Sequence, residues 1–420
     1  MAGLAAASRL ASRGASVTVF EPAKQLGGRA RGIEYKGVML DNGQHIMLGA
    51  YRETLALLAQ ADVDTSQAFL RLPLQLHMQD IKNKQAISLQ ARNWLPAPLH
   101  ILGGFLAAQG LSLGSKLAAL RFMTWAQLQR FQLKHDIPLR EFLAQRKQTH
   151  QLTAAIWEPL CLAALNTPIS EASAQVFLNV LRDSFARKKS DSDMLLPRAD
   201  LNTMLAQPLA DWLCGQGAKF VRHSVKKVES SESGFNVFTD AQAQPFSHVI
   251  LACGPHQLKH IELPDAVANA LPTLEYQPIT TVYLQFDEHL QLPRPMTGLV
   301  NSLSQWVLDR GRMCGQKGLL AVVISADKSS ADMPNAKLAE QVLAELKQAF
   351  PNLGEPLWHK VITEKFATFA CKPDLARPTG LTPLPGLFLT GDYIENGYPA
   401  TIEGAVRNGV ACTNLVVSMP

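Results

Sequence analysis

The chain has 420 residues, 47% of them hydrophobic and 18% charged, with a formal net charge of +5; this supplies a large core and more than one domain, while the dispersed lysines and arginines argue against nucleic acid as a partner. Its six cysteines stand far apart with no CxxC pair, so they read as reduced core thiols of a reducing compartment, with no disulfide and no metal site expected. No run of about 18 apolar residues occurs, and Arg9 and Arg13 interrupt the apolar start, which argues against a spanning helix and a signal peptide.

From Ala2 to Ser12 the residues Gly3, Leu4, Ala7, Leu10 and Ala11 recur at helical spacing, Gly14 ends the helix, and Val17 to Phe20 form a short buried strand closing on Glu21. This predicts the second half of a βαβ unit. In a dinucleotide fold the third glycine of G-x-G-x-x-G lies inside such a helix, and an acid ends the second strand about 20 residues on. Gly3 and Glu21 fit those two places. A carboxylate there accepts from ribose hydroxyls, and the helix amino terminus holds a pyrophosphate with its unpaired N–H groups. The plainer alternative is a helix–strand hairpin. Gly27, Gly28, Arg29 and Arg31 follow, joining flexible backbone to fixed positive charge as a pyrophosphate loop would; the alternative is a glycine turn with exposed arginines.

Asp41-Asn42-Gly43-Gln44-His45, followed by the apolar Ile46-Met47-Leu48, predicts a loop entering a buried site. His45 is the acid–base candidate there, with an ordinary pKa of about 6.5, and a hydrogen-bonded structural histidine is the bland reading. Segment 94–113 is rich in leucine but broken by Pro96, Pro98 and paired glycines. It either dips into one membrane leaflet or forms core, and Lys116 to Leu133 continues as helix. Arg187, Lys188 and Lys189 are a solvated cluster or a patch for anionic headgroups. An amphipathic helix is expected from Asp200 to Cys214, strands over Lys219–Val228 and Phe235–Thr239, and a buried strand over Ser247–Pro255 that ends in a turn. Gly386 to Asp392 reads as a buried strand, and Pro399 as the opening of a helix through Val406, Gly409 and Leu415.

In their order, these strings resemble the flavoprotein superfamily of amine oxidases, phytoene desaturases and protoporphyrinogen oxidase. Within it, LDNGQHIMLGAY, WLPAPLHILGGFLAAQGLSL, WEPLCLAALNTPISEASAQVFLNVLRDS and GDYIENGYPATIEGAVRNG look like the hydroxysqualene dehydroxylase, or squalene-associated desaturase, family over nearly the whole chain. The resemblance implies an α/β fold: a Rossmann-like FAD-binding domain of residues 1–75, 195–260 and 365–420, with an inserted α+β substrate domain of 76–194 and 261–364. Family members begin with a strand and a complete glycine motif before the residues matching Ala2-Gly3-Leu4, so that first strand is missing from this chain. The 420-residue form is therefore expected to lose flavin easily. It also implies roles toward FAD: Gly27, Gly28 and Arg29 on the diphosphate, Gly391 and Asp392 on the ribityl and phosphate region, Val225 on the adenine. Gly43, Gln44 and His45 fall beneath the isoalloxazine, and the helix after Ala400 and Thr401 points its amino terminus at the pyrimidine ring.

The reaction implied is reduction of an allylic C30 alcohol to squalene, with His45, Tyr393 and Glu403 as candidate proton donors. An apolar isoprenoid substrate implies a cytoplasmic protein held peripherally at the inner face of the cytoplasmic membrane. The sequence assigns no oligomeric state. A carotenoid-type desaturase and an inactive, truncated member are the competing readings.

Overall fold

Seven strands form one mixed sheet in the order Trp358–Phe369, Tyr276–Gln285, Leu319–Ser325, Trp306–Asp309, Met296–Val300, Gln75–Asp80, Gln85–Gln90 in a computed structural model that describes residues 1–418. Successive strand side chains point to opposite faces, and both faces are covered. Val282, Leu284, Val307, Leu320 and Val322 meet Leu338, Val342 and Leu346 of the helix Asn335–Ala349. Tyr283, Trp306, Leu308, Ala321 and Val323 join the main core with the helical segment that includes Leu113–Leu128, Glu158–Leu165 and Ala174–Leu181.

Three π-helical turns interrupt these and neighbouring helices, at Thr153–Trp157, Arg182–Ala186 and Asn202–Ala206. Such wide turns recur at functional sites, and the second places Asp183, Ser184 and Phe185 on the large cleft described below. The third changes the expected Asp200–Cys214 helix: Asp200 accepts from the amides of Asn202 and Thr203, and the regular helix runs only over Gln207–Gly215.

The parallel part of the fold is in two pieces. Thr18–Phe20 pairs with Lys219–Val221, and Val249–Leu251 pairs with Leu387–Leu389. Among the described residues no strand joins the pairs, and Thr18–Phe20 and Val249–Leu251 both line the cleft. Thr18–Phe20, read from sequence as buried, is therefore only half-buried. The pairs are held by the helix Ala2–Ala11, which packs on the last helix, Ile402–Val417. A Cβ at Gly409 would stand 2.3 Å from the carbonyl oxygen of Ala2, so the contact needs glycine.

Three other details depart from the sequence reading. Pro399 does not open the last helix; Thr401 does, its hydroxyl accepting from the Gly404 amide at 3.0 Å. Segment 94–113 holds the helix Leu99–Ala107, and the next helix stops at Leu128, short of Leu133. All six cysteines are unpaired as expected, but Cys214 is exposed, and Cys253 and Cys314 are only half-buried. Among the described residues no helix is long and apolar enough to cross a membrane.

Candidate active site

Both chain ends and the middle converge on one cleft of about 1090 Å³. Gly3 and Glu21, the Gly27–Arg29 loop, Gly43 to His45, Val225, Gly391 to Tyr393, and Ala400, Thr401 and Glu403 all line it. Fifteen positions from seven separate stretches of the chain thus share one cavity.

The cleft's polar end is built from loops that need glycine. Gly27 has φ +98°, and a Cβ there would lie 2.3 Å from the Ala30 carbonyl oxygen; L-residues avoid that backbone region. Its turn carries Arg29, which reaches across the molecule to donate to Asp392 at 2.7 Å and to the Ala367 carbonyl at 2.5 Å. The positive charge expected to face a diphosphate is thus paired with the very carboxylate expected beside it. Next to Asp392, a Cβ on Gly391 would be 2.6 Å from the Tyr393 ring. The Tyr393 hydroxyl and the Thr390 hydroxyl are buried with no hydrogen-bond partner in the protein, an arrangement that costs about 1–3 kcal/mol per group unless something else meets them. Burial also pushes the Tyr393 phenol well above its ordinary pKa.

The loop after the strand Val38–Asp41 is anchored from below. Asp41 is 1% exposed; it accepts from the Leu201 amide at 3.0 Å and from Arg310 at 3.1 Å. Arg310, 2% exposed, also donates to the Gln44 side chain and to Gln316, while the Tyr283 hydroxyl donates to the Asp41 carbonyl at 3.0 Å. Burial raises the Asp41 carboxyl, and Arg310 opposes that rise. This frame presents His45, whose Nδ1 lies 2.6 Å from the Gly43 carbonyl. A carbonyl only accepts, so Nδ1 carries the hydrogen and Nε2 is left to receive or deliver a proton. Burial lowers the His45 pKa, and the Asp41 charge only partly restores it.

Glu403 has another task. Its carboxylate accepts from the amides of Glu53 and Thr54, from the Thr54 hydroxyl at 2.8 Å and from Arg407 at 2.7 Å. Both oxygens are thus committed to fastening the helix Arg52–Gln60 to the last helix, so the candidate proton donor read from sequence is a structural clamp.

Beyond this polar end the wall turns apolar. Leu160, Phe177, Leu181 and Phe185 come from the helices, and Ile279, Met296, Leu308 and Val323 from the large sheet. Two of the lining residues hold a buried polar atom with no partner in the protein: the indole nitrogen of Trp306 and the side-chain carbonyl oxygen of Asn166. Sequence reading missed both, and it missed Arg310. Arg310 is 266 residues from Gln44, and nothing in the local pattern around it signals burial. It also missed the aromatic group at the cleft edge, where His256 stacks on Phe366 at 4.7 Å and Tyr276 meets that ring at 5.3 Å.

Residues 1–417 match the family described as flavin containing amine oxidoreductase. The chain belongs to that family. It is an FAD-dependent oxidoreductase of mixed α/β fold. The family's flavin suits the cleft as built: glycines at points of close approach, a helix amino terminus, an Arg–Asp pair and the unpartnered hydroxyl of Tyr393 at one end. Among its relatives, the hydroxysqualene dehydroxylase of Rhodopseudomonas palustris is 27% identical, with all of this chain and 96% of the relative covered. The protein of that name from Zymomonas mobilis is 23% identical over 100% and 97%. The zeta-carotene desaturase of Synechocystis sp. is 22% identical over 97% and 94%. In fold, the chain is similar to an oxidoreductase from Methanosarcina mazei, with a TM-score of 0.77 at 14% identity over 99% and 98% of the two chains. A putrescine oxidase variant gives 0.73 at 15% identity over 100% and 97%.

Proposed function

We propose that this enzyme converts hydroxysqualene to squalene, the reductive dehydroxylation step of hopanoid and related triterpenoid synthesis. Residues 1–75, 195–260 and 365–420 form the FAD-binding part in this reading, and 76–194 and 261–364 the substrate part. The observation that carries it is the character of the second half of the cleft: an apolar wall of Phe177, Leu181, Phe185, Met296 and Val323, with an orphaned indole N–H of Trp306. That combination suits a long hydrocarbon bearing one oxygen. A pure polyene would leave the indole donor without a partner.

Bound FAD, once reduced, supplies hydride chemistry. Gly3, Glu21, Gly27, Gly28, Arg29, Val225, Gly391, Asp392, Ala400 and Thr401 would hold it, with Gly43 and Gln44 beside its ring. The chain's own task is to make the hydroxyl leave. Loss of water from the protonated alcohol gives a delocalised allylic cation, and replacing hydroxyl by hydride consumes one proton and one hydride per water released. His45 Nε2 delivers the proton. Its lowered pKa makes the imidazolium a stronger acid than an ordinary histidine, at the cost of a smaller protonated fraction near neutrality. Tyr393, held neutral by burial, is placed to donate a hydrogen bond. The apolar wall keeps water from capturing the cation. Such a substrate resides in a bilayer, so the enzyme works peripherally at the inner face of the cytoplasmic membrane.

Purified enzyme supplied with reduced FAD and hydroxysqualene under anaerobic conditions is expected to form squalene, with kcat rising as pH falls below about 6.5, the ordinary histidine pKa. His45→Gln should remove that rise. Trp306→Phe should raise KM about tenfold with little change in kcat, as loss of one hydrogen bond to the substrate oxygen would do. Desaturation of zeta-carotene with no squalene formed would replace this reading by the desaturase one.

A further inference from the structure

Of the large hydrophobic side chains exposed to solvent, most fall in residues 94–128: Trp94 (79% exposed), Leu99, Leu106, Leu113 (78%), Leu117 and Leu128 (77%). A scattered exposed leucine is ordinary; a cluster of this kind marks an interaction surface. The helix Leu113–Leu128 shows how the cluster is organised. Leu113, Gly114, Leu117, Arg121, Thr124 and Leu128 are its exposed positions, all but Gly114 spaced four, four, three and four apart, while Ala118, Ala119, Phe122, Met123 and Ala126 are buried. That spacing is one continuous stripe on a helix. Leu99 and Leu106 stand seven apart on the helix Leu99–Ala107, again two turns on one side. The two helices pack against each other, so both stripes belong to one hairpin.

The charge pattern says what covers them. Between Asp80 and Asp136 there is no acidic residue, while seven lysines and arginines occur, among them Arg92, Lys116 and Arg121. None of the seven makes an ion pair among the described residues, although eighteen ion pairs occur elsewhere. A protein partner of ordinary composition would not select an acid-free surface of this length. A leaflet with anionic headgroups would: apolar side chains enter the acyl boundary, and each basic side chain near the surface adds about 1 kcal/mol.

We propose that the hairpin of residues 94–128 is the membrane-docking surface, selective for anionic lipid, with Trp94, Leu113, Leu117 and Leu128 entering the leaflet and Arg92, Lys116 and Arg121 pairing with headgroups. The proposal deepens the peripheral-membrane part of the function proposed above and rests on it. Its test uses no substrate, so failure of the reaction and failure of the docking surface are told apart.

The full chain is mixed with vesicles of phosphatidylcholine alone or with 30% phosphatidylglycerol, an illustrative composition of roughly biological charge density, and floated on a density gradient. Binding to the anionic vesicles is expected to be at least tenfold stronger and to weaken with added salt. Lys116→Glu with Arg121→Glu should abolish the preference. Leu113→Ser with Leu117→Ser should reduce binding to both vesicle types. All four positions are at or near the surface, and unchanged thermal unfolding of the variants confirms that folding is intact. Equal binding to the two vesicle types, or binding untouched by either pair of substitutions, overturns the proposal. So does a wild-type dimer that the leucine substitutions make monomeric while vesicle binding persists.

Discussion

Every residue of the strand Leu319–Ser325 is buried, whereas Thr18–Phe20 is only half-buried throughout, although both strands border the same cleft. The first is bonded along both edges inside a seven-stranded sheet and packed on both faces. The second is bonded along one edge. The cofactor side compensates with long-range side-chain contacts: Arg29 to Asp392 across 363 residues, and Glu403 to Thr54 across 349. The apolar wall thus draws its rigidity from the backbone ladder, and the polar end draws much of its own from a few side chains and close helix contacts. Damage to the first should appear as lost stability, and damage to the second as lost flavin.

The largest expected effect tests the sheet side. Arg310→Ala leaves Asp41 as an unpaired buried charge, which costs about 3–5 kcal/mol. Urea unfolding of the variant should show it, and a loss below about 1 kcal/mol would mean that water reaches Asp41 and the wall is less sealed than its burial indicates. On the cofactor side, Gly409→Val drives a side chain into Ala2 and separates the first and last helices. The overpacking costs about 1–3 kcal/mol, and FAD affinity, read by flavin fluorescence, should fall by more than the stability loss explains. Equal retention of flavin would show that the helix contact does not shape the site.

The smallest effect is the pH dependence of the substrate side. Burial and Arg294 lower the His77 pKa to about 4, so the folded protein keeps this ring neutral where the unfolded chain protonates it. The unfolded state then binds more protons, and stability falls as pH drops from about 6.5, the unfolded value, towards 4. His45, His100 and His256 are lowered too and add in the same sense. His77→Gln should flatten part of that slope in unfolding curves recorded across this window.

Much of the cleft's polar end was legible because its requirements are local. A turn that needs Gly27, an acid at a strand end such as Glu21, and a strand closing on Gly391-Asp392 each leave a short, ordered mark in the chain. The boundary errors arose where side chains compete for the backbone: Thr401 captures the helix start that Pro399 suggested, and Asp200 captures the amides that a regular helix would use. Glu403 could not be told from a proton donor by sequence, since its partners Glu53 and Thr54 come from a distant helix.

What the sequence alone determined is most of the helices and strands and which short glycine- and acid-bearing stretches to look for together, because those follow from backbone geometry and near-neighbour chemistry. Only the tertiary structure decided that Arg310 ties Asp41 to Gln44, that Trp306 and Asn166 carry buried, unpartnered polar atoms beside an apolar wall, and that Glu403 is a clamp. Burial and pairing across hundreds of residues fix those roles, and no local pattern encodes them.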